Sequence, residues 1–413
     1  MYETFASANS ANANSDVIAR RRRRRGDPDA NAAFAASGLL RRCAPRNAGW
    51  TAPGGIECAI MPVARPARET VQMHATMIGL DIAKTVFEVY GEDEGRHPVL
   101  SKRLGRGSVE AFFAKLPRAV IGIEACGGAH DWARRLSALG HEVKLLPAAY
   151  VRPYVKRNKT DARDAEAIVE AMRSPSMRFV SVKSPEQQAA RGLETARELL
   201  VKQGTQLANA VRGLLSEFGI VAAKGTDGFS ALCAKIEARD PAIPQALLFS
   251  LQALLLQWRQ AAQAAKALEG QLTGRAKADP AMRRLMTVPG IGPLTAHAIV
   301  AAIGDGSQFG SARDFAAWAG LTPREHQSGK RRRAGSISRM GDAGVRRLLT
   351  LGASAVMRQM KAKPERATAW QRGIMARRPI KVAVAAQAAK TARIAWAMLR
   401  SGEDYRAHPA LAA

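Results

Sequence analysis

Met77-Ile78-Gly79-Leu80-Asp81-Ile82 is the stretch on which the fold turns. Side chains of a strand point to opposite faces in turn, so Ile78, Leu80 and Ile82 share one face and Asp81 takes the other. A tight turn at Ala83-Lys84 leads into a second strand over 86–90, and 97–104 forms a third. Residues 109–116 read as a short helix, 119–124 as a strand, 129–139 as a helix, and 142–146 as a strand stopped by Pro147. A helix over 161–172 follows, with Asp161 as its N-cap. The order βββαβαβα predicts an α/β domain, a mixed sheet with helices on its faces.

Three elements of this scheme carry acids where chemistry needs them. Asp81 sits in the first strand, and Glu124 ends Val120-Ile121-Gly122-Ile123-Glu124, a strand that a crossover can lay parallel to the first. Asp161 and Asp164, in Asn158-Lys159-Thr160-Asp161-Ala162-Arg163-Asp164-Ala165, are three apart and share one face near a helix start. A helix N-terminus favours carboxylates on its own account, so this pair also has a purely structural reading. If the fold gathers all four, their repulsion demands a cation. Two divalent ions about 3.5–4 Å apart activate an attacking oxygen and stabilise a leaving one, which is what cutting a nucleic-acid backbone requires. Mg2+ takes hard oxygen ligands and keeps some waters, so a few carboxylates suffice; Mn2+ is the alternative ion. Asp81, central in the sheet, is the candidate bridging ligand. His74 and His130 lie nearest in sequence but show no ligand spacing with the acids.

Composition points the same way. The 413-residue chain carries 63 Lys plus Arg against 35 Asp plus Glu, a net charge of +28. Such an excess points to a polyanionic partner, nucleic acid first and an anionic membrane surface second. No apolar run approaches the roughly 18 residues that a spanning helix needs. Cys43, Cys58, Cys126 and Cys233 are scattered with no CxxC spacing, which fits neither a zinc site nor a disulfide framework, and a reducing cytoplasm is expected. Residues 1–72 form a basic tail, eleven arginines against six acids, with the run Arg20 to Arg25. They read as a disordered nucleic-acid-binding arm, or as a gene start placed too early, with Met73 or Met77 as the true first residue. The sheet domain is expected over 73–184.

Beyond it the texture becomes helical. Residues 185–283 hold two long stretches with apolar residues at helical spacing, 194–215 and 246–272, which read as a helical hairpin or coiled coil. Pairing within the chain and pairing between chains both fit this pattern. Residues 284–405 form an all-α block, with 406–413 as a tail. It opens on Val288-Pro289-Gly290-Ile291-Gly292-Pro293-Leu294-Thr295-Ala296, similar to a helix-hairpin-helix whose Gly290 and Gly292 let backbone N–H groups approach a phosphate. A glycine-rich helix connection with no ligand fits as well. A helix over 309–319 carries Trp318, and helices over 344–360 and 380–399 close the chain. Between them, Gly320 to Arg339 reads as a basic loop holding Ser328-Gly329. Arg324, Lys330, Arg331, Arg332, Arg333 and Arg339 can grip phosphates there, as can Lys159 and Arg163 beside the helix acids. Serine is a weak nucleophile without a base or metal, so by chemistry alone Ser328 reads as a phosphate-contacting turn, and Ser336 and Ser338 are equally eligible.

Taken together, Gly79-Leu80-Asp81-Ile82-Ala83-Lys84, Ile123-Glu124-Ala125-Cys126-Gly127, Asn158 to Ala165, Pro289-Gly290-Ile291-Gly292, Gly320-Leu321-Thr322-Pro323-Arg324 and Ser328-Gly329 stand in a known order. From 77 to 405 the chain resembles the DEDD transposases of the bacterial insertion sequences called the IS one-ten group. The resemblance implies a ribonuclease H-like, resolvase-like first domain in which Asp81, Glu124, Asp161 and Asp164 hold metal. It implies a coiled coil leading to a C-terminal transposase domain, where Ser328 attacks DNA and forms a phosphoserine link. It further implies donor and target DNA chosen by a structured bridge RNA. Tetramers built from dimers are implied too, in which one subunit's acids and another's serine form a composite site. The expected location is the bacterial cytoplasm, on the nucleoid when DNA is bound. Cys126 stands where threonine is common. A basic protein with only 5% aromatic residues and no zinc finger suits a partner that supplies specificity by base pairing. Two other readings use fewer of these residues. One is a structure-selective junction endonuclease working with the acids alone. The other is a nucleic-acid-binding protein without catalysis.

Overall fold

A computed structural model describes residues 74–155, 161–329 and 331–406, excluding the side chains of Asp161, Arg331 and Arg332. The basic tail 1–72, Lys159, Lys330 and most of 406–413 therefore lie outside the described residues.

Five strands form the first sheet: β1 (Met77–Ile82), β2 (Val86–Glu92), β3 (Pro98–Gly105), β4 (Val120–Glu124) and β5 (Glu142–Leu146). Their spatial order is β3-β2-β1-β4-β5. The β1–β2 and β2–β3 pairs are antiparallel, and β1–β4 and β4–β5 are parallel. This is the mixed sheet that the element order predicts. Helices α1 (Val109–Phe113), α2 (Ala129–Ala138), α3 (Ala148–Val151) and α4 (Asp161–Met172) join and cover it. The first is shorter than its apolar residues suggest, and α4 begins at Asp161 itself.

Strand alternation sorts the two faces. Ile78, Leu80, Phe87, Ile121, Ile123 and Leu145 meet Phe113 of α1 and Trp132 and Leu136 of α2 in one buried cluster. Phe87 and Trp132 pack edge to face with ring centroids 5.0 Å apart, an arrangement the ring quadrupoles favour. The opposite face receives α4 through Ile168, Val169 and Met172, with Leu146 and Val151 beside them. The far end of α4 is pinned. Arg173 donates to Glu92 at the end of β2, whose carboxylate is 7% exposed and also accepts the Tyr90 hydroxyl at 3.0 Å.

Two long helices follow, α5 (Pro185–Ser216) and α7 (Gln245–Ala278), with α6 (Thr226–Glu237) at their turn. Ser184 starts α5 with a reciprocal cap: its hydroxyl accepts from the Gln187 N–H, and the Gln187 side chain accepts from the Ser184 N–H. At 1.5 Å per residue α5 runs about 48 Å. Val211 and Leu215 of α5 meet Leu248, Leu251 and Leu255 of α7 and Phe229 and Leu232 of α6. The apolar faces read from the sequence thus pair within the chain.

The rest is α8 (Pro280–Met286), α9 (Pro293–Ile303), α10 (Ala312–Trp318), α11 (Ala343–Ala362), α12 (Ala369–Arg377) and α13 (Ile380–Ser401). All of these but α12 share a core of Leu285, Ile299, Phe315, Val345, Leu349 and Ala392, which Ala276 at the end of α7 also enters. The α10 helix starts later than the expected 309, because the Ser311 hydroxyl accepts from the Asp314 N–H and caps it. A larger correction concerns 320–339. The expected basic loop is an antiparallel ribbon of β6 (Pro323–Ser328) and β7 (Arg331–Ile337). Every residue of β6 is exposed, so the ribbon has no buried face to leave an apolar alternation in the sequence.

One relay of charged groups ties these parts together. Arg191 of α5 donates to Glu194 and to Asp342, each at 2.6 Å. Glu194 also meets Nδ1 of His297, a fully buried residue of α9, at 2.6 Å. Asp342 caps α11 by accepting from the Val345 N–H at 2.9 Å.

Candidate active site

The last residue pair in register between β1 and β4 is Leu80 with Ile123. One step further along each strand stand Asp81 and Glu124. Neighbouring strands lie about 4.8 Å apart, so the two acids emerge side by side at the carboxyl ends of the central parallel pair. Both are on the α4 face, since Ile78, Leu80, Ile121 and Ile123 occupy the other. Electrostatics report the same convergence. The Cys126 thiol is pushed up by burial first, and then by the negative charges of Glu124 and Asp81 acting on it together.

Helix α4 brings the next acid. A Cβ on Gly79 would stand 2.1 Å from the Ala165 carbonyl oxygen, and one on Gly122 would stand 2.5 Å from Sδ of Met172. Only bare backbone at these two paired positions lets the helix sit so low. Ala165 is thereby seated over β1 two residues before Asp81, and Asp164 precedes it. Asp164 is half-buried, with Oδ1 sealed from solvent. The backbone of Asp161 starts the same helix one turn earlier. Carboxylate oxygens are the hard donors that Mg2+ or Mn2+ prefers, so the donor chemistry fits a divalent ion. Among the described residues, no three His, Cys, Asp or Glu side chains already stand close enough to enclose one.

A further acid was not foreseen. Glu88 of β2 lies directly opposite Asp81 in the antiparallel register, on the same face. Like charges in that position repel, and Arg103 of β3 offsets them, with Nε 3.3 Å from Glu88 Oε1. Only the register of β1 on β2 reveals this neighbour, and no motif in the sequence encodes it.

Ser328 is elsewhere, the last residue of β6, exposed and opposite Arg331 across the ribbon. Gly329 follows with φ +56° and makes the turn. Arg324, Arg333 and Arg339 are all exposed, and Arg324 also donates to the Ser338 carbonyl at 3.2 Å. Arg163 is exposed on α4. Of the expected phosphate-binding glycines, Gly290 takes φ +90° and lies against Gly352 of α11, where an added Cβ on Gly352 would come within 1.8 Å of the Gly290 oxygen. Close helix packing is thus one use of Gly290. Gly292 is exposed, has open space around it, and precedes α9 as its N-cap.

Comparison with known proteins bears on this arrangement. A transposase model of the DEDD type named for IS110 matches residues 78–220, and one described as "Transposase IS116/IS110/IS902 family" matches 282–371. A putative transposase of Sinorhizobium fredii is 45% identical over 332 residues, covering 80% of this chain and 85% of the relative. The chain belongs to the IS116/IS110/IS902 transposase family. A probable family 20 transposase of Pseudomonas aeruginosa is also 45% identical, over 81% of this chain and 99% of its own length. The transposase of the element IS1111A from Coxiella burnetii is 37% identical over 80% and 91%. The protein is accordingly an insertion-sequence transposase, an enzyme acting on DNA. Its first matched segment takes in the sheet, α4 and α5, and the second takes in the region from α8 to α12, the ribbon included. Among the described residues no helix is long and apolar enough to cross a membrane.

Proposed function

We propose that this transposase cuts and rejoins DNA with two pieces of machinery, an acidic divalent-metal site and a serine nucleophile. The observation that carries the first is the pair of registered glycines beneath α4. Gly79 receives the Ala165 turn of the helix two residues before Asp81, and Gly122 receives its second half two residues before Glu124, which supports a site between the strand ends and the helix start. Asp81, Glu124, Asp164 and Asp161 would hold Mg2+, or Mn2+ in its place. Such ions activate an attacking oxygen and neutralise a leaving one. The chain's own contribution would be to carry four hard ligands on three elements packed against one another.

The serine part rests on the family resemblance, with the ribbon as support. Ser328 is exposed at the tip of a basic, solvent-surrounded projection. Its hydroxyl oxygen would form a bond to a DNA phosphorus while the strand oxygen leaves and takes up a proton, giving a phosphoserine ester. Arg333, Arg324 and Arg339, together with Lys330, Arg331 and Arg332, would hold the phosphate and its developing charge. We read the domains as 73–184 for the metal site, 185–283 for the helical connector and 284–405 for the serine part. A bridge RNA pairing with donor and target, a tetramer with composite sites and action in the cytoplasm complete the reading. The net charge of +28 supports contact with much nucleic-acid backbone.

The test uses purified protein, its co-purified RNA, element-end DNA and Mg2+. Ser328→Ala should abolish the covalent protein–DNA adduct, and Asp81→Asn should abolish cleavage while binding persists. Full recombination by Ser328→Ala would favour the junction endonuclease reading. Full activity of Asp81→Asn would remove the metal site from the account.

A further inference from the structure

A cavity of about 1180 Å3 lies between the sheet domain and the helices that carry the ribbon. One wall includes Ala125, the residue after Glu124, with Tyr150 and Phe179. Tyr150 and Phe179 are 45% and 37% exposed. The facing wall includes Phe309 and Trp318, whose ring centroids are 5.6 Å apart. Thr322 and Ser338, at the root of the ribbon, also line it. We propose that this cleft receives one or two unpaired nucleotides of the nucleic-acid strand being handled.

Three features select that ligand. Exposed aromatic surface in a concave site is covered by flat apolar faces, and unstacked bases present such faces whatever their sequence. A paired duplex shows only base edges and backbone, so it cannot offer a face to rings on opposing walls. Cations line the same cleft. Arg178 reaches across it to Asp314 at 3.3 Å, and Lys183 lies behind. Burial and the nearby Arg191 push the Lys183 ammonium down, so a phosphate would relieve it. Finally, Ser338 belongs to the lining, and its hydroxyl oxygen, sealed from solvent, has no hydrogen-bond partner among the described residues. Buried polar atoms of that kind are rare unless a ligand or water meets them. Position adds a purpose. The lining runs from Ala125, next to Glu124, to Thr322 and Ser338 at the ribbon root, so a strand bound there would lie between those two parts of the molecule.

The inference needs the protein to handle nucleic acid. It does not need the metal or serine chemistry, so binding alone tests it. Short single-stranded oligo-dT and oligo-rU carrying 5-iodouracil, and a duplex with the same label, are each photo-cross-linked to the full-length protein. Single-stranded probes should yield cross-linked peptides containing Phe179, Phe309 or Trp318, and the duplex should not. The tighter of the two single strands identifies DNA or RNA as the occupant. Phe179 is partly exposed, so Phe179→Ala should fold and weaken single-strand binding about tenfold, the typical loss for one stacked base, with duplex binding unchanged. Cross-links confined to residues outside the cleft, or equal effects of Phe179→Ala on both probe types, would overturn the proposal.

Discussion

Gly79 and Gly122 stand opposite each other on the parallel strands β1 and β4, and α4 rests on both. The acids two residues further along those strands come within reach of the helix because nothing but hydrogen separates it from the sheet. The two contacts differ in kind. Gly79 faces a backbone carbonyl, which cannot yield, and Gly122 faces side chains alone, the flexible end of Met172 and the Cγ2 methyl of Ile168. Gly79→Ala should therefore destabilise by about 1–3 kcal/mol, as other overpacked sites do, and abolish cleavage. Gly122→Ala should cost less, since the Met172 thioether can swing aside and only the Ile168 methyl must be displaced. Thermal unfolding and a cleavage assay on both variants check this order; equal losses would contradict it.

Cys126 offers a direct view of the acidic end of the sheet. Glu124 and Asp81 both hold its thiol up, after burial. Replacing either acid by its amide removes a negative charge and lowers the thiol pKa, so more thiolate forms at a given pH. Iodoacetamide should alkylate Cys126 faster in Asp81→Asn and in Glu124→Gln than in the parent protein. An unchanged rate would mean that the two carboxylates do not converge there.

His130 links the sheet domain to α5. Its Nδ1 accepts the Lys183 N–H at 3.2 Å, and its Nε2 lies 3.3 Å from the Lys183 ammonium. Burial, then Lys183 and Arg134, push its pKa down to about 4. The unfolded chain binds a proton there near pH 6.5 and the folded chain does not, so protonation favours unfolding. The stabilising effect is complete above about pH 6.5 and is lost as pH falls toward 4. Chemical denaturation at a series of pH values should show this fall, and His130→Gln should flatten it.

The Arg173–Glu92 pair clamps the far end of α4. Arg173→Ala leaves a carboxylate that is 7% exposed without its cation. Breaking buried pairs costs about 3–5 kcal/mol, and the lower end applies because the Arg173 side chain is 26% exposed. Adding Glu92→Gln should recover part of that loss. Denaturant midpoints of the single and double variants measure the recovery, and strict additivity would show that the two residues do not interact.

Much of the sheet was readable because its strands have one apolar face each. Ile78 and Leu80 against Asp81, and Ile121 and Ile123 against Glu124, reveal both the strands and the side on which the acids lie. The ribbon left no such trace, since Glu325, His326 and Gln327 are all exposed and pack on no core. Glu88 escaped notice because its nearness to Asp81 arises from register, a relation between strands and not along one. The role of Gly79 and Gly122 was equally hidden. A glycine inside a strand says that something approaches, and it does not say what. The short α8 is held by the C-terminal core and the short α12 by its Thr368 cap and the Gln371–Gln387 hydrogen bond, and both have too few turns to display a period.

The Arg191 relay has a mechanical corollary. Its guanidinium grips Glu194 on its own helix and, 151 positions away in sequence, Asp342 just after the ribbon. Glu194 in turn holds the buried imidazole of His297. A rod about 48 Å long is thus bolted near one end to the hub from which the serine-bearing finger projects. Whatever grasps the distal tip of that rod gains leverage over where the finger points.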